Sequence, residues 1–323
     1  MSRSVPAMPR IAWRDTGGLA NQTLILARLQ PRDARSKPTI PPPRIDRPPN
    51  PWCAHPNHGR IFRLPIVTNT ALRRLRAGQL SLGFGVNQLR TVAAPMLAKA
   101  AGFDWLFIDM EHGAFSVHEA TQLCMAALNT GVTPIVRVCT DALDEGTRAL
   151  DNGALGIVVP HVDTPALAKR VAEAFRFPPQ GHRSWGGGIA VYGFQAPAAA
   201  QAQAEINAEV LIIAMIETAE AVGHADRIAA QPGIDVLLIG TSDLTADMGI
   251  SGEIGHERVQ AAYRTVIDAC KKHGKHAGMG GVYDEVWAKA YINMGCRFLL
   301  GGADQGFILQ AATSRAKFLH GLV

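Results

Sequence analysis

Residues 104–116 read DWLFIDMEHGAFS. Trp105-Leu106-Phe107-Ile108 is an unbroken apolar run, too short for a helix and without the alternation of a half-exposed strand. Such a run fits a strand covered on both faces, as in a parallel sheet flanked by helices. It breaks into Asp109, Glu111 and His112, then Gly113. Charges are costly in a packed interior, so the strand must end where a polar cavity begins. The stretch that follows, SVHEATQLCMAALNT, reads as an amphipathic helix.

This unit of apolar strand, polar or glycine turn and amphipathic helix recurs from residue 68 to the end. Strands are predicted at Leu80–Val86, Trp105–Asp109, Thr133–Val138, Leu155–Pro160, Leu211–Glu217, Val236–Gly240, His276–Gly280 and Phe298–Gly302. The helix over ERVQAAYRTVIDACKKHG carries its stop signal, cations and then glycine. Eight such units in about 255 residues match the usual size of a (β/α)8 TIM barrel. A doubly wound open sheet is the alternative, but LGFGVNQ does not supply the Gly-x-Gly-x-x-Gly turn expected after its first strand.

Residues 1–67 differ from the rest. They hold twelve of the twenty prolines, eleven of the 32 Lys/Arg and three of the 27 Asp/Glu. The chain's formal charge of +5 thus divides into +8 here and −3 over 68–323. The expected organisation is an irregular extension over 1–67 and a barrel over 68–323. The barrel carries no basic footprint for nucleic acid, and no apolar run is long enough for a membrane helix. CAHPNHG (Cys53, His55, His58) lacks a fourth ligand at zinc-finger spacing and reads as a solvated loop. The five cysteines are scattered without a Cys-x-x-Cys pair, the pattern of reduced, buried thiols in a cytoplasmic protein.

In a barrel, chemistry gathers at the carboxyl ends of the strands. Those ends read Asn87; Asp109, Glu111 and His112; Arg137; His161; Glu217; Ser242 and Asp243; then glycines. Glu217 and Asp243 are one β-α-β step apart and should face the same mouth. Two carboxylates so placed repel unless a cation lies between them, and hard oxygen ligands suit Mg²⁺, Mn²⁺ or Co²⁺. Alternatively, each caps the helix that follows it. His112 is a candidate base, against the ordinary reading of a loop histidine. Arg137 is either paired with a carboxylate or free to hold an anion. Asp151 either ends a helix or reaches an imidazole. No lysine ends a strand, so neither a Schiff base nor a pyridoxal cofactor has an anchor, and electron withdrawal falls to a metal.

FDWLFIDMEHGAFS, TPIVRV, GALGIVVPHVDTPALAKRVAEAFRFPPQGHRSWGGG, IAMIETAEAV and GIDVLLIGTSDLTADMG, in this order, resemble the HpcH/HpaI aldolase family of metal-dependent 2-oxo acid aldolases. The resemblance begins near residue 68. It implies a class II aldolase cleaving a 4-hydroxy-2-oxo acid to pyruvate and an aldehyde. His112 would then be the base, Asp151 its carboxylate partner, Arg137 the stabiliser of the enolate oxygen, and Glu217 and Asp243 the metal ligands. Gly240, Thr241 and Ser242 would offer N–H groups to the pyruvate carboxylate, and the assembly would be a homo-oligomer, a hexamer. Met215, Thr241 and Trp185 depart from common forms of these motifs, which bears on the aldehyde more than on the metal. The rival readings are a CoA-ester or citrate-type lyase, an oxaloacetate decarboxylase, and a barrel that binds a 2-oxo acid without catalysis.

Overall fold

A computed structural model describes residues 66–187 and 189–323. The expected extension lies almost wholly outside them, as do Cys53, His55 and His58. The strands are β1 (Ser81–Val86), β2 (Trp105–Asp109), β3 (Thr133–Arg137), β4 (Gly156–Val159), β5 (Leu211–Ile216), β6 (Val236–Gly240), β7 (His276–Gly280) and β8 (Phe298–Ala303). Neighbours pair in parallel all the way round, and β8 returns to β1, closing the barrel. All eight predicted strands are present, shifted by at most one residue at an end.

The helices are α1 (Thr70–Arg76), α2 (Ala94–Ala100), α3 (Val117–Ala127), α4 (Leu143–Asp151), α5 (Pro165–Phe175), α6 (Ala199–Glu209), α7 (Ala219–Ala229), α8 (Thr241–Asp247), α9 (Glu257–Lys272), α10 (Glu285–Met294) and α11 (Asp304–His320). Local chemistry accounts for their starts. Ser116 and Glu119 form the capping box of α3, and Thr164 and Thr218 cap α5 and α7. No helix among the described residues is long and apolar enough to cross a membrane.

Alternation along the strands sorts two cores. Leu106, Ile108, Val136, Ile157, Ile212 and Ile239 face outward against the helices, while Trp105, Phe107, Ile135, Val158, Ile213 and Leu238 fill the barrel. Trp105 stacks on Phe298 with ring centroids 4.1 Å apart. Gly83 admits that indole, since a Cβ there would lie 2.3 Å from it. The inward series then turns polar as it rises: Trp105, Phe107, Asp109 on β2, and Thr133, Ile135, Arg137 on β3, with Asp109 in register opposite Arg137. Continuing β5 by one residue past its end places Glu217 after Ile213 and Met215. A hydrophobic shaft therefore supports a charged rim.

Cys124, Cys270 and Cys296 are buried free thiols, as expected. Cys139 corrects that reading: it lies just past the end of β3 and is exposed.

Asn69 is fully buried at the barrel's foot. Its Oδ1 accepts from Leu72 N, capping α1, and its Nδ2 donates to the carbonyls of Leu155 and Glu209. Asn69→Ala should lower unfolding stability by about 2–4 kcal/mol, from the lost cap and two buried acceptors left without this donor. Chemical denaturation should read this as a lower midpoint.

Candidate active site

A cavity of about 420 Å³ opens at the carboxyl ends of the strands, its polar side lined by Asn87, Asp109, His112, Arg137, Glu217 and Asp243. Gly240, Thr241 and Ser242 also line it, with Tyr283 and Gln305 on the later loops. No lysine is among the described residues that line it.

Asp109 organises one half of this mouth. It is 2% exposed, and its carboxylate binds Arg137 in a two-point contact, Nε to Oδ1 at 2.9 Å and Nη2 to Oδ2 at 2.6 Å. Oδ1 also accepts the backbone N–H groups of Glu111 and His112, and Oδ2 accepts Asn87 Nδ2. Glu111 takes the other side of the guanidinium, 2.8 Å from Nη1, and the face of Phe107 lies beneath it. This answers why β2 ends in two carboxylates: between them they fix an arginine at the end of the next strand. Burial alone would raise the Asp109 pKa; the Arg137 bonds and charge, with the two N–H groups, outweigh it and hold the carboxyl below 3.8.

Glu217 organises the other half. It is 1% exposed, its Oε2 accepting His161 N–H at 2.7 Å. That N–H is aimed by a left-handed backbone at His161, φ 49°, a conformation rarely tolerated by a non-glycine residue. Gly240 leaves room for the carboxylate, since a Cβ there would come within 2.6 Å of Oε1. Burial raises the Glu217 pKa and the charge of Asp243 adds to this, against the His161 N–H, the His161 ring and Arg137. Neither acid caps a helix: Thr218 caps α7, and Asp243 sits inside the first turn of α8. The capping alternative is thereby removed for both.

His112 lines the cavity with its ring largely exposed, 3.9 Å from Glu111 Oε2. Asp151 lies elsewhere, paired at 2.7 Å with buried Arg183 beyond the cavity lining. Within this chain, the carboxylate neighbour of His112 is thus Glu111. Trp185 packs edge-on against Phe177 and does not line the cavity, and the Thr241 hydroxyl is bonded to Tyr263 OH at 2.7 Å.

The donor set suits a hard divalent cation. Two carboxylates, Asp109 and Glu111, already compensate Arg137, leaving the mouth with a surplus of negative charge at Glu217 and Asp243. Glu217 Oε1 accepts no hydrogen bond among the described residues. No cluster of three or more His, Cys, Asp or Glu with metal-holding geometry occurs among those residues. The protein side of any such site is therefore sparse, with substrate and water completing the shell.

The family model for HpcH/HpaI aldolase/citrate lyase matches residues 91–311. The chain is 36% identical over 250 residues to 4-hydroxy-4-methyl-2-oxoglutarate aldolase tasA of Hapsidospora irregularis, covering 76% of this chain and 92% of that protein. It is 34% identical to a hydroxypyruvate/pyruvate aldolase of Cupriavidus necator, over 75% of this chain and 89% of that one. Among solved structures, an HpcH/HpaI aldolase/citrate lyase family protein from Burkholderia cenocepacia aligns with a TM-score of 0.71 at 31% identity, over 78% of this chain and 100% of that chain. The chain belongs to the HpcH/HpaI aldolase/citrate lyase family.

The depressed Asp109 pKa makes a signed prediction. Its ionisation stabilises the fold fully above about 3.8, and that stability is lost as pH falls through the lower folded value. Asp109→Asn should lower the melting temperature at pH 7, and the gap to wild type should narrow below pH 3.8. Thermal melts from neutral to acid pH measure it; a pH-independent gap would show that the charge contributes nothing.

Proposed function

We propose that this protein is a carbon–carbon lyase, a class II aldolase that cleaves a 4-hydroxy-2-oxo acid to pyruvate and an aldehyde. The observation that carries this reading is Glu217, a buried carboxylate facing a cavity shared with Asp243, Arg137 and His112. Relatives bearing aldolase names agree with it.

Glu217 and Asp243 hold a divalent ion, Mg²⁺, Mn²⁺ or Co²⁺ by ligand chemistry. When bound, the ion would supply Lewis-acid charge that stabilises the negative charge developing on the 2-oxo group. Gly240, Thr241 and Ser242 receive the carboxylate end. Arg137 turns donors toward the 2-oxo oxygen: Nε and Nη2 bind Asp109, Nη1 lies 2.8 Å from Glu111, and the remaining Nη hydrogens are left for the cavity. His112 takes the proton of the 4-hydroxyl as the C3–C4 bond breaks. The bonding pair passes to C3 and the 2-oxo group as an enolate, the aldehyde departs, and a proton at C3 completes pyruvate. Asp151 stays outside this scheme as a partner of Arg183.

Lactate-dehydrogenase-coupled pyruvate release from a panel of 4-hydroxy-2-oxo acids, with and without Mg²⁺ or Mn²⁺, tests the proposal. His112→Ala and Glu217→Gln should each lower turnover about 100-fold or more. A chelator should abolish it reversibly. Full turnover in excess chelator, with no metal bound, overturns the proposal.

We also infer a homo-oligomer, with a hexamer as the size to test, in the cytoplasm. Beyond its first residues α11 is exposed along its length, with Ile308, Leu309, Phe318 and Leu319 all facing solvent in the single chain, and α2 exposes Met96 and Leu97. Apolar surface of this extent on two elements calls for cover. Light scattering should give a multiple of 34.5 kDa, and Ile308→Asp with Leu309→Asp should reduce it; a monomeric wild type overturns the inference.

A further inference from the structure

Asp304 opens α11 and is fully buried, yet it forms no ion pair among the described residues. Its carboxylate is instead satisfied by backbone. Oδ2 accepts the N–H groups of Gln88 at 2.8 Å and Leu89 at 2.7 Å, and both oxygens lie 3.2 Å from the N–H of Asn87. Oδ1 also takes the N–H of Gln305 at 2.8 Å. Three consecutive amides of the turn after β1 thus converge on one carboxylate, arriving from the far end of the sequence. A buried charge satisfied this completely is costly to disturb.

The turn it fixes carries Asn87, whose side chain donates to Asp109 Oδ2 at 2.9 Å. Asp109 in turn holds Arg137 and the N–H groups of Glu111 and His112. We propose that Asp304 is a positioning residue for the reaction: through the 87–89 turn and the Asn87 amide it sets the rotamer of Asp109, and so the placement of Arg137 and His112. Asp304 itself stands behind the cavity wall and is not among its lining residues; its neighbour Gln305 is. The chain of contacts runs from Asp304 to the turn, to Asn87, to Asp109, and then divides to the guanidinium and to the His112 loop. An asparagine at 304 would present an NH₂ group where only N–H donors converge, and so would break the first link while keeping the shape.

The proposal rests on the lyase reading only for its activity arm. The variants are Asp304→Asn, Asn87→Ala and the double substitution, in the full chain with Mg²⁺. Amide hydrogen exchange is followed over 87–89 and over 111–112, together with kcat and KM for pyruvate release. Asp304→Asn should speed exchange at both stretches. Asn87→Ala should speed it at 111–112 and leave 88–89 protected. Each should lower kcat by about 10- to 100-fold, with the double no worse than the poorer single, since both cut one line of positioning. Faster exchange confined to 87–89 in Asp304→Asn, with 111–112 and kcat unchanged, overturns the proposal and leaves Asp304 a local cap. Where Asp304→Asn does not fold, Asn87→Ala decides: unchanged exchange at 111–112 overturns it. If wild type itself releases no pyruvate, the lyase reading fails while the exchange data still decide the positioning role.

Discussion

The ion pair between Asp109 and Arg137 is the constraint on which the mouth of this barrel depends. Both groups are buried, 2% and 7% exposed, at the last in-register position of β2 and β3. A buried charge deprived of its partner costs about 3–5 kcal/mol, so neither residue can be lost alone. The pairing also does more than cancel charge. It pins a planar guanidinium in one orientation above the Phe107 ring, and the same carboxylate ties down the backbone that presents His112. Positive charge and candidate base are thereby referenced to a single anchor.

A division of labour follows around the rim. On one side two acids are spent on one arginine, giving a rigid wall of paired charges. On the other, Glu217 and Asp243 have no lysine or arginine within ion-pair distance among the described residues, and Glu217 is held in place by a strained His161 and by the absence of a side chain at Gly240. The first arrangement provides order and the second provides demand. Together they set a wall of paired charges opposite a wall of unpaired carboxylates, the asymmetry on which the proposed function draws.

Much of this was legible in the sequence because a parallel strand announces itself. Unbroken apolar runs such as LIIAMI and VLLIG have few other uses, and eight of them in sequence leave little choice of fold. Reading the carboxyl ends of these strands found Arg137, Glu217 and Asp243. The reading left open whether Arg137 was paired, and missed Asp109 as hub, although counting β2 and β3 to the same height would have set the two face to face. It also could not see that Asp151 turns to Arg183, because a helix terminus gives no direction to a side chain. Asp304 escaped because its partners are amides of a turn more than two hundred positions away. Contacts to backbone leave no residue-type signature. Cys139 sits two residues beyond a strand buried throughout, and a hydropathy pattern does not resolve that step.

The stacked Trp105 and Phe298, wedged beside Gly83, close the shaft beneath the cavity. The chamber therefore has a floor of stacked rings, and what enters at the carboxyl ends of the strands leaves by the same side.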